Sequence, residues 1–190
     1  GAAEGLAEGA RALVAEHRPD SIMWACTSGS FVFGWEGAHD QVRELQDRTG
    51  VPTSSTSLAF VEACRALSVG RVSVAASYPH DVAEHFVAFL GHGGIAVTAL
   101  GSQGIVTAAE VGTLGYEQVE AIATGADVSG AEAVLVPDPA MHSLQWIDKL
   151  EAAVGLPVLT ANQVTVWQGI RLLGGVPRYA TLGTLFRDGG

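Results

Sequence analysis

One segment pattern occurs twice in this 190-residue chain, and the repetition limits the fold more than any other feature. In the first copy the apolar run Ser21-Ile22-Met23-Trp24-Ala25 leads into Cys26-Thr27-Ser28-Gly29-Ser30. In the second, Ala133-Val134-Leu135-Val136-Pro137 leads into Asp138. The copies converge again further on, where Gly50-Val51-Pro52-Thr53-Ser54-Ser55 matches Gly155-Leu156-Pro157-Val158-Leu159-Thr160. Each then runs into a helical segment ending near an Arg-x-Leu, Arg65 to Leu67 and Arg171 to Leu173. A duplicated strand-helix-strand unit predicts two similar lobes. Parallel α/β sheets bind ligands just beyond the carboxyl ends of their strands. Two facing lobes would therefore bring Cys26 and Asp138 to opposite walls of one cleft, an arrangement suited to moving a proton onto and off carbon.

The remainder of the chain alternates in the same way. The spacing predicts an opening helix up to His17, strands at Ser21–Ala25, Val51–Ser54, Arg71–Ala76, Ile95–Ala99, Ala133–Val136 and Val158–Leu159, and helices between them. Strict alternation predicts α/β architecture with parallel sheets flanked by helices and right-handed crossovers. We expect two pseudo-symmetric lobes, one of residues 1–55 with 160–190 and one of residues 56–159, with the active site in the cleft between them. A chain of this class ordinarily opens on a strand, so an opening helix reads either as the loss of a βα unit or as the continuation of a longer polypeptide. Hydrophobic residues at 48% against 16% charged fit central strands buried on both faces. The formal charge of -10, with no cluster of Lys or Arg, argues against a nucleic-acid partner. No apolar run nears the roughly 20 residues that span a bilayer, so no membrane role is expected. Two cysteines on separate elements and no secretory pattern make a reducing cytoplasm the natural setting. Nothing in the pattern excludes a homo-oligomer.

Few residues carry chemistry. Cys26 stands where strand becomes loop, among small and hydroxylic neighbours whose backbone N–H groups can stabilise a thiolate. The alternative is a small buried apolar residue, and that reading suits Cys64, which falls inside an amphipathic helix. Thr27 and Ser28 can hold a carboxylate or an enediolate, or else cap a helix. Tyr78, at the end of the strand from Val72, is either a further donor in the same opening or a ring packed at a helix start. Asp138 lies between Pro137 and Pro139, which hold the backbone extended; it is either functional or an Asx-type turn. The six histidines show no metal-ligand spacing. Gly91-His92-Gly93-Gly94 precedes a strand and opens no helix, which fails the context of a dinucleotide fingerprint. We expect no cofactor and no metal.

These residues resemble the aspartate/glutamate racemase superfamily, in the branch that holds arylmalonate decarboxylase and maleate cis-trans isomerase. The resemblance rests on Cys26-Thr27-Ser28-Gly29-Ser30-Phe31, Thr49-Gly50-Val51-Pro52, Leu67-Ser68-Val69-Gly70-Arg71-Val72, Ala76-Ser77-Tyr78 and Gly155-Leu156-Pro157-Val158. It implies two α/β lobes around a buried carboxylate site, cofactor-free and metal-free chemistry, and in most members a pair of cysteines, one from each lobe. Cys26 matches the first-lobe cysteine that the isomerases use as nucleophile and the decarboxylase lacks. Thr27, Ser28 and Tyr78 match the oxyanion-binding residues of the decarboxylase. Asp138 stands where both relatives carry the second cysteine, a departure from the two-thiol pattern. The family's opening strand and its carboxylate-binding Ser/Asn loop have no counterpart in these residues. The resemblance implies a maleate isomerase-like enzyme on a small unsaturated dicarboxylate, with Cys26 as nucleophile and Asp138 as its base. Its rivals are decarboxylation of a substituted malonate, racemisation of an amino acid or hydantoin, and a non-catalytic carboxylate binder.

Overall fold

The computed structural model describes residues 2–190, with side chains from residue 4 onward. The elements run in the order α1 (Ala2–His17), β1 (Ile22–Trp24), α2 (Ser28–Phe31), α3 (Gly34–Thr49), β2 (Thr53–Ser55), α4 (Thr56–Ala66), β3 (Arg71–Ala76), α5 (His80–His92), β4 (Ala96–Ser102), α6 (Ala108–Val111), α7 (Tyr116–Thr124), β5 (Ala133–Val136), α8 (Ile147–Val154), β6 (Val158–Thr160), α9 (Ala161–Arg171) and α10 (Gly183–Asp188). A 3-10 turn, Leu144–Trp146, precedes α8. β1 and β2 form one parallel pair, and the other strands form a parallel sheet in the order β4-β3-β5-β6. The expected α/β class with parallel sheets and flanking helices is what the chain forms.

The repeat seen in the sequence is reproduced in the pairing of its strands. β1 pairs with β2 through Ile22↔Thr53 to Trp24↔Ser55, and β5 pairs with β6 through Val134↔Val158 to Val136↔Thr160. Ile22 N–H donates to Pro52 O at 2.9 Å, and Val134 N–H donates to Pro157 O at the same distance. α3 and α8 each end on a left-handed glycine, Gly50 at φ 72° and Gly155 at φ 79°. That conformation is open to glycine at little steric cost and stops the helix. In both copies a side chain in the last helical turn then reaches forward to the next strand: Gln46 Oε1 accepts from Thr53 N–H and Glu151 Oε1 from Val158 N–H, each at 3.3 Å. Ser55 and Thr160 occupy the N-caps of α4 and α9, and these two helices pack against each other.

Burial explains the strand composition. Ala133, Val134, Leu135 and Val136 of β5 are at most 1% exposed, because helices cover both faces of the sheet. Each Val or Leu so buried stabilises by roughly 1.5–3 kcal/mol relative to exposure. One core cluster lies on the face shared by α4, α5 and α9 and extends from Phe31 of α2 to Phe186 of α10. A second fills the other face beneath α7 and α8. A small third cluster, built on Ala7, Ala10, Ile22 and Leu45, joins α1 and α3 to β1. α4 and α9 are also joined by Glu62, which receives Arg171 across the pair and Arg65 along its own helix, both at 2.7 Å. Burial alone would raise the pKa of Glu62, but the two guanidinium groups outweigh it and hold the carboxyl below its ordinary range.

The copies differ at one edge. β5 has β3 on the side away from β6, whereas β1 has no partner on the equivalent side among the described residues. A cavity of about 1100 Å³ runs along that edge, lined by Leu6, Leu13, Met23, Trp24 and Phe33 among others. No described helix is long and apolar enough to cross a membrane.

Candidate active site

The shared register fixes where the two strand-end residues stand. Trp24 and Val136 are the last paired residues of β1 and β5. Cys26 and Asp138 each follow two residues later, so they are equivalent positions of the repeat. The chain around each is shaped differently. After Cys26 it turns at once into α2, although the sequence reads there as a loop. Ser28-Gly29-Ser30 is poor helix-forming sequence, and the turn is held by tertiary contacts: Phe31 is 1% exposed and packs against Phe86 and Tyr78. After Asp138 the chain makes an Asx turn, in which Ala140 N–H donates to Asp138 Oδ1 at 2.9 Å.

Cys26 is partly exposed, and Gly29 N–H donates to its sulfur at 3.3 Å. The contact requires glycine at position 29. A Cβ there would stand 2.9 Å from Cys26 Sγ and 3.1 Å from the Trp24 indole. Ser28 Oγ is 3.9 Å from the same sulfur. Thr27 is buried at the N-cap position of α2, yet its hydroxyl caps nothing. Thr27 Oγ1 makes no contact of hydrogen-bond geometry, while Thr27 O accepts from Ser57 Oγ at 2.8 Å. A buried hydroxyl without a partner is costly, and here it belongs to the residue next to Cys26. Cys64 is different: it is sealed in the core at 0% exposure, and burial pushes its thiol up to about 12.

Asp138 is 6% exposed, and both of its carboxylate oxygens accept hydrogen bonds. Beside the Ala140 N–H on Oδ1, Ser77 Oγ donates to Oδ2 at 2.5 Å. None of the ion pairs among the described residues involves Asp138, so its charge is balanced by dipoles and by no cation. No local pattern in the sequence assigns Ser77 a role. Its signal was one of register: β3 pairs with β5 at a constant separation, Val72↔Ala133 to Val74↔Leu135. The same separation of 61 residues carries Ser77 to Asp138.

Tyr78 links the two strand ends. Its hydroxyl donates to Pro137 O at 2.9 Å, and its ring lies edge-on to Phe31 with centroids 6.0 Å apart. Burial is the main reason its phenol is held above the ordinary tyrosine range. The Asp138 charge raises it further, the nearby Thr27 hydroxyl works against the rise, and Cys26 adds a smaller increase. The phenol thus senses both strand-end groups. Its single proton is directed at the Pro137 carbonyl. Of the six histidines, His17, His80, His85, His92 and His142 are exposed, and His39 is partly buried with Nδ1 against Trp35 O. The described residues contain no cluster of three His, Cys, Asp or Glu side chains able to hold a metal.

A repeated α/β fold with parallel sheets, carrying a thiol on one strand end and a hydrogen-bonded carboxylate on its equivalent, defines a class of duplicated α/β proteins with titratable side chains at equivalent strand ends. The arylmalonate decarboxylase family model matches residues 2–186, and the chain belongs to that family. It is 31% identical over 136 residues to arylmalonate decarboxylase of Bordetella bronchiseptica, covering 69% of this chain and 55% of the relative. It is 30% identical over 167 residues to maleate isomerase of Nocardia farcinica, covering 84% of this chain and 66% of the relative. The chain therefore spans between about half and two thirds of these relatives. Among solved structures it is similar to a cysteine-to-serine variant of Nocardia farcinica maleate cis-trans isomerase with a covalently bound succinylcysteine intermediate. That match has a TM-score of 0.87 at 27% identity and covers 95% of this chain and 77% of that one.

Proposed function

We propose that this chain carries the active site of a cofactor-independent isomerase of the maleate isomerase type, acting on a short cis-unsaturated dicarboxylate or a close derivative. The observation that supports it is the placement of Cys26, the partly exposed member of the two cysteines, at the repeat position equivalent to Asp138. In the reaction the Cys26 S–H proton passes to Asp138. The sulfur bonds to one alkene carbon as the π bond breaks, and Asp138 delivers the proton to the neighbouring carbon. Rotation about the new single bond follows. Asp138 then removes a proton from that carbon, the C–S bond breaks, the trans alkene forms and the proton returns to sulfur, so the cycle is redox-neutral. Thr27 and Ser28 hydroxyls hold the carboxylate and stabilise the enediolate that develops during proton transfer. The covalently bound succinylcysteine of the Nocardia isomerase variant is the adduct expected of such a thiol addition.

Decarboxylation is the second reading, favoured by the family match over residues 2–186 and by a single strand-end thiol, which suffices to protonate an enediolate once. Proton NMR of maleate, its monoamide and phenylmalonate incubated with the protein separates the two. Conversion of a cis alkene to trans, lost in Cys26→Ala, supports isomerisation. Loss of carbon dioxide from phenylmalonate with both alkenes untouched would replace it with decarboxylation.

A further inference from the structure

We propose that the substrate arm facing Asp138 is a hydrogen-bond donor such as a carboxamide, so that the preferred substrate is the monoamide of a cis-unsaturated diacid and not the dianion. This inference rests on the reading of the site given above and names its substrate class.

The two strand ends offer opposite polarity. At the Cys26 end the groups are hydroxyls able to donate: Thr27 Oγ1 is buried beside the Tyr78 phenol with no contact of hydrogen-bond geometry, and Ser28 Oγ lies 3.9 Å from the Cys26 sulfur. That end suits a carboxylate. At the other end Asp138 is an acceptor at 6% exposure. Its oxygens already accept from Ser77 Oγ and Ala140 N–H, and each retains a second lone pair for a ligand. The neighbouring phenol sends its proton to Pro137 O and not toward a ligand. No basic side chain pairs with Asp138 among the described residues, so a second substrate carboxylate would meet a buried carboxylate offset only by the Ser77 and Ala140 dipoles and by no cation. Like charges brought together in a partly desolvated site repel strongly. An amide N–H instead completes the acceptor, and a site built around such a bond discriminates sharply against an analogue that lacks the donor. A thiol in place of Asp138 would carry no fixed charge, so the preference is a property of this side chain.

Binding of saturated analogues tests the inference apart from any turnover. Isothermal titration of the whole chain with succinamate and with succinate should give a dissociation constant at least about tenfold lower for succinamate. Asp138→Asn presents an amide to the ligand, and Asp138→Cys keeps a small side chain without fixed charge. With folding checked by circular dichroism, either variant should bring succinate to parity with succinamate or better. Equal or tighter binding of succinate by the unaltered chain overturns the inference, as does failure of both to bind at about 10 mM, or a preference that survives both substitutions. Preferential succinamate binding with no conversion of either alkene would leave this inference standing and remove only the isomerase reading.

Discussion

Two serines, one on β3 and one directly after it, give a controlled test of how Asp138 is held. Ser73 and Ser77 are both fully buried, on β3 and directly after it. Ser77 Oγ donates to Asp138 Oδ2 at 2.5 Å, whereas Ser73 Oγ is buried without a partner. Removing a hydrogen bond to a charged group costs about 1.5–3 kcal/mol, while removing an unpaired buried hydroxyl is neutral or stabilising. Ser77→Ala should therefore lower stability by about 1.5–3 kcal/mol, a melting-temperature drop of about 3–12 °C for a domain of this size. Ser73→Ala, with the same change of atoms four residues earlier, should stay within about 0.5 kcal/mol of the unaltered chain or exceed it. Urea unfolding of the three proteins, with unchanged m-values, gives the comparison directly. Equal losses in the two variants would show that the Ser77 contact contributes nothing particular and would refute the account of how the carboxylate is positioned.

Three further outcomes are expected. Gly29→Ala should cut turnover by an order of magnitude or more at nearly constant stability, because its Cβ would press on the Cys26 sulfur at 2.9 Å; steady-state rates beside a melting curve check this. Asp138→Asn should lower turnover by roughly 10²–10⁴-fold, the loss typical of removing a general base, and unchanged rates would make Asp138 a turn residue only. Cys64 yields a pH prediction of definite sign. Its folded value of about 12 lies above the ordinary thiol value of 9.0, so the folded chain keeps a proton that the unfolded chain releases. Its stabilising contribution is complete below the unfolded pKa and is lost as pH rises from there toward the folded value. The slope is about 1.4 kcal/mol per pH unit. Cys64→Ala should lack that alkaline loss in urea unfolding between pH 8 and about 11.

Much of this architecture is legible in the sequence because its strongest signals are local. Ala133–Val136 is a continuous apolar run and Arg71–Ala76 a Val- and Ala-rich one, each between turn residues, and both strands have those bounds in the structure. The Gly-x-Pro matches at Gly50 and Gly155 mark chain reversals that depend on one left-handed residue each. What the sequence hides is what depends on partners distant along the chain. α2 forms because Phe31 has Phe86 and Tyr78 to pack against, α10 because Leu185 and Phe186 are buried, and neither has a helical period long enough to read. Ser77 belongs to the site only through the β3–β5 register. The proton of Tyr78 goes to a carbonyl 59 residues away, so a residue expected to bind a ligand also ties the two strand ends together.

The central claim is that Cys26 is the reacting thiol, and mass spectrometry of the trapped adduct tests it most directly. Cys26 and Cys64 lie on different tryptic peptides, separated by Arg43 and Arg48. After incubation with maleate or its monoamide and rapid acid quench, the account predicts a saturated four-carbon adduct on the Cys26 peptide alone, absent in Cys26→Ala. An adduct confined to Cys64, or continued turnover by Cys26→Ala, would contradict it.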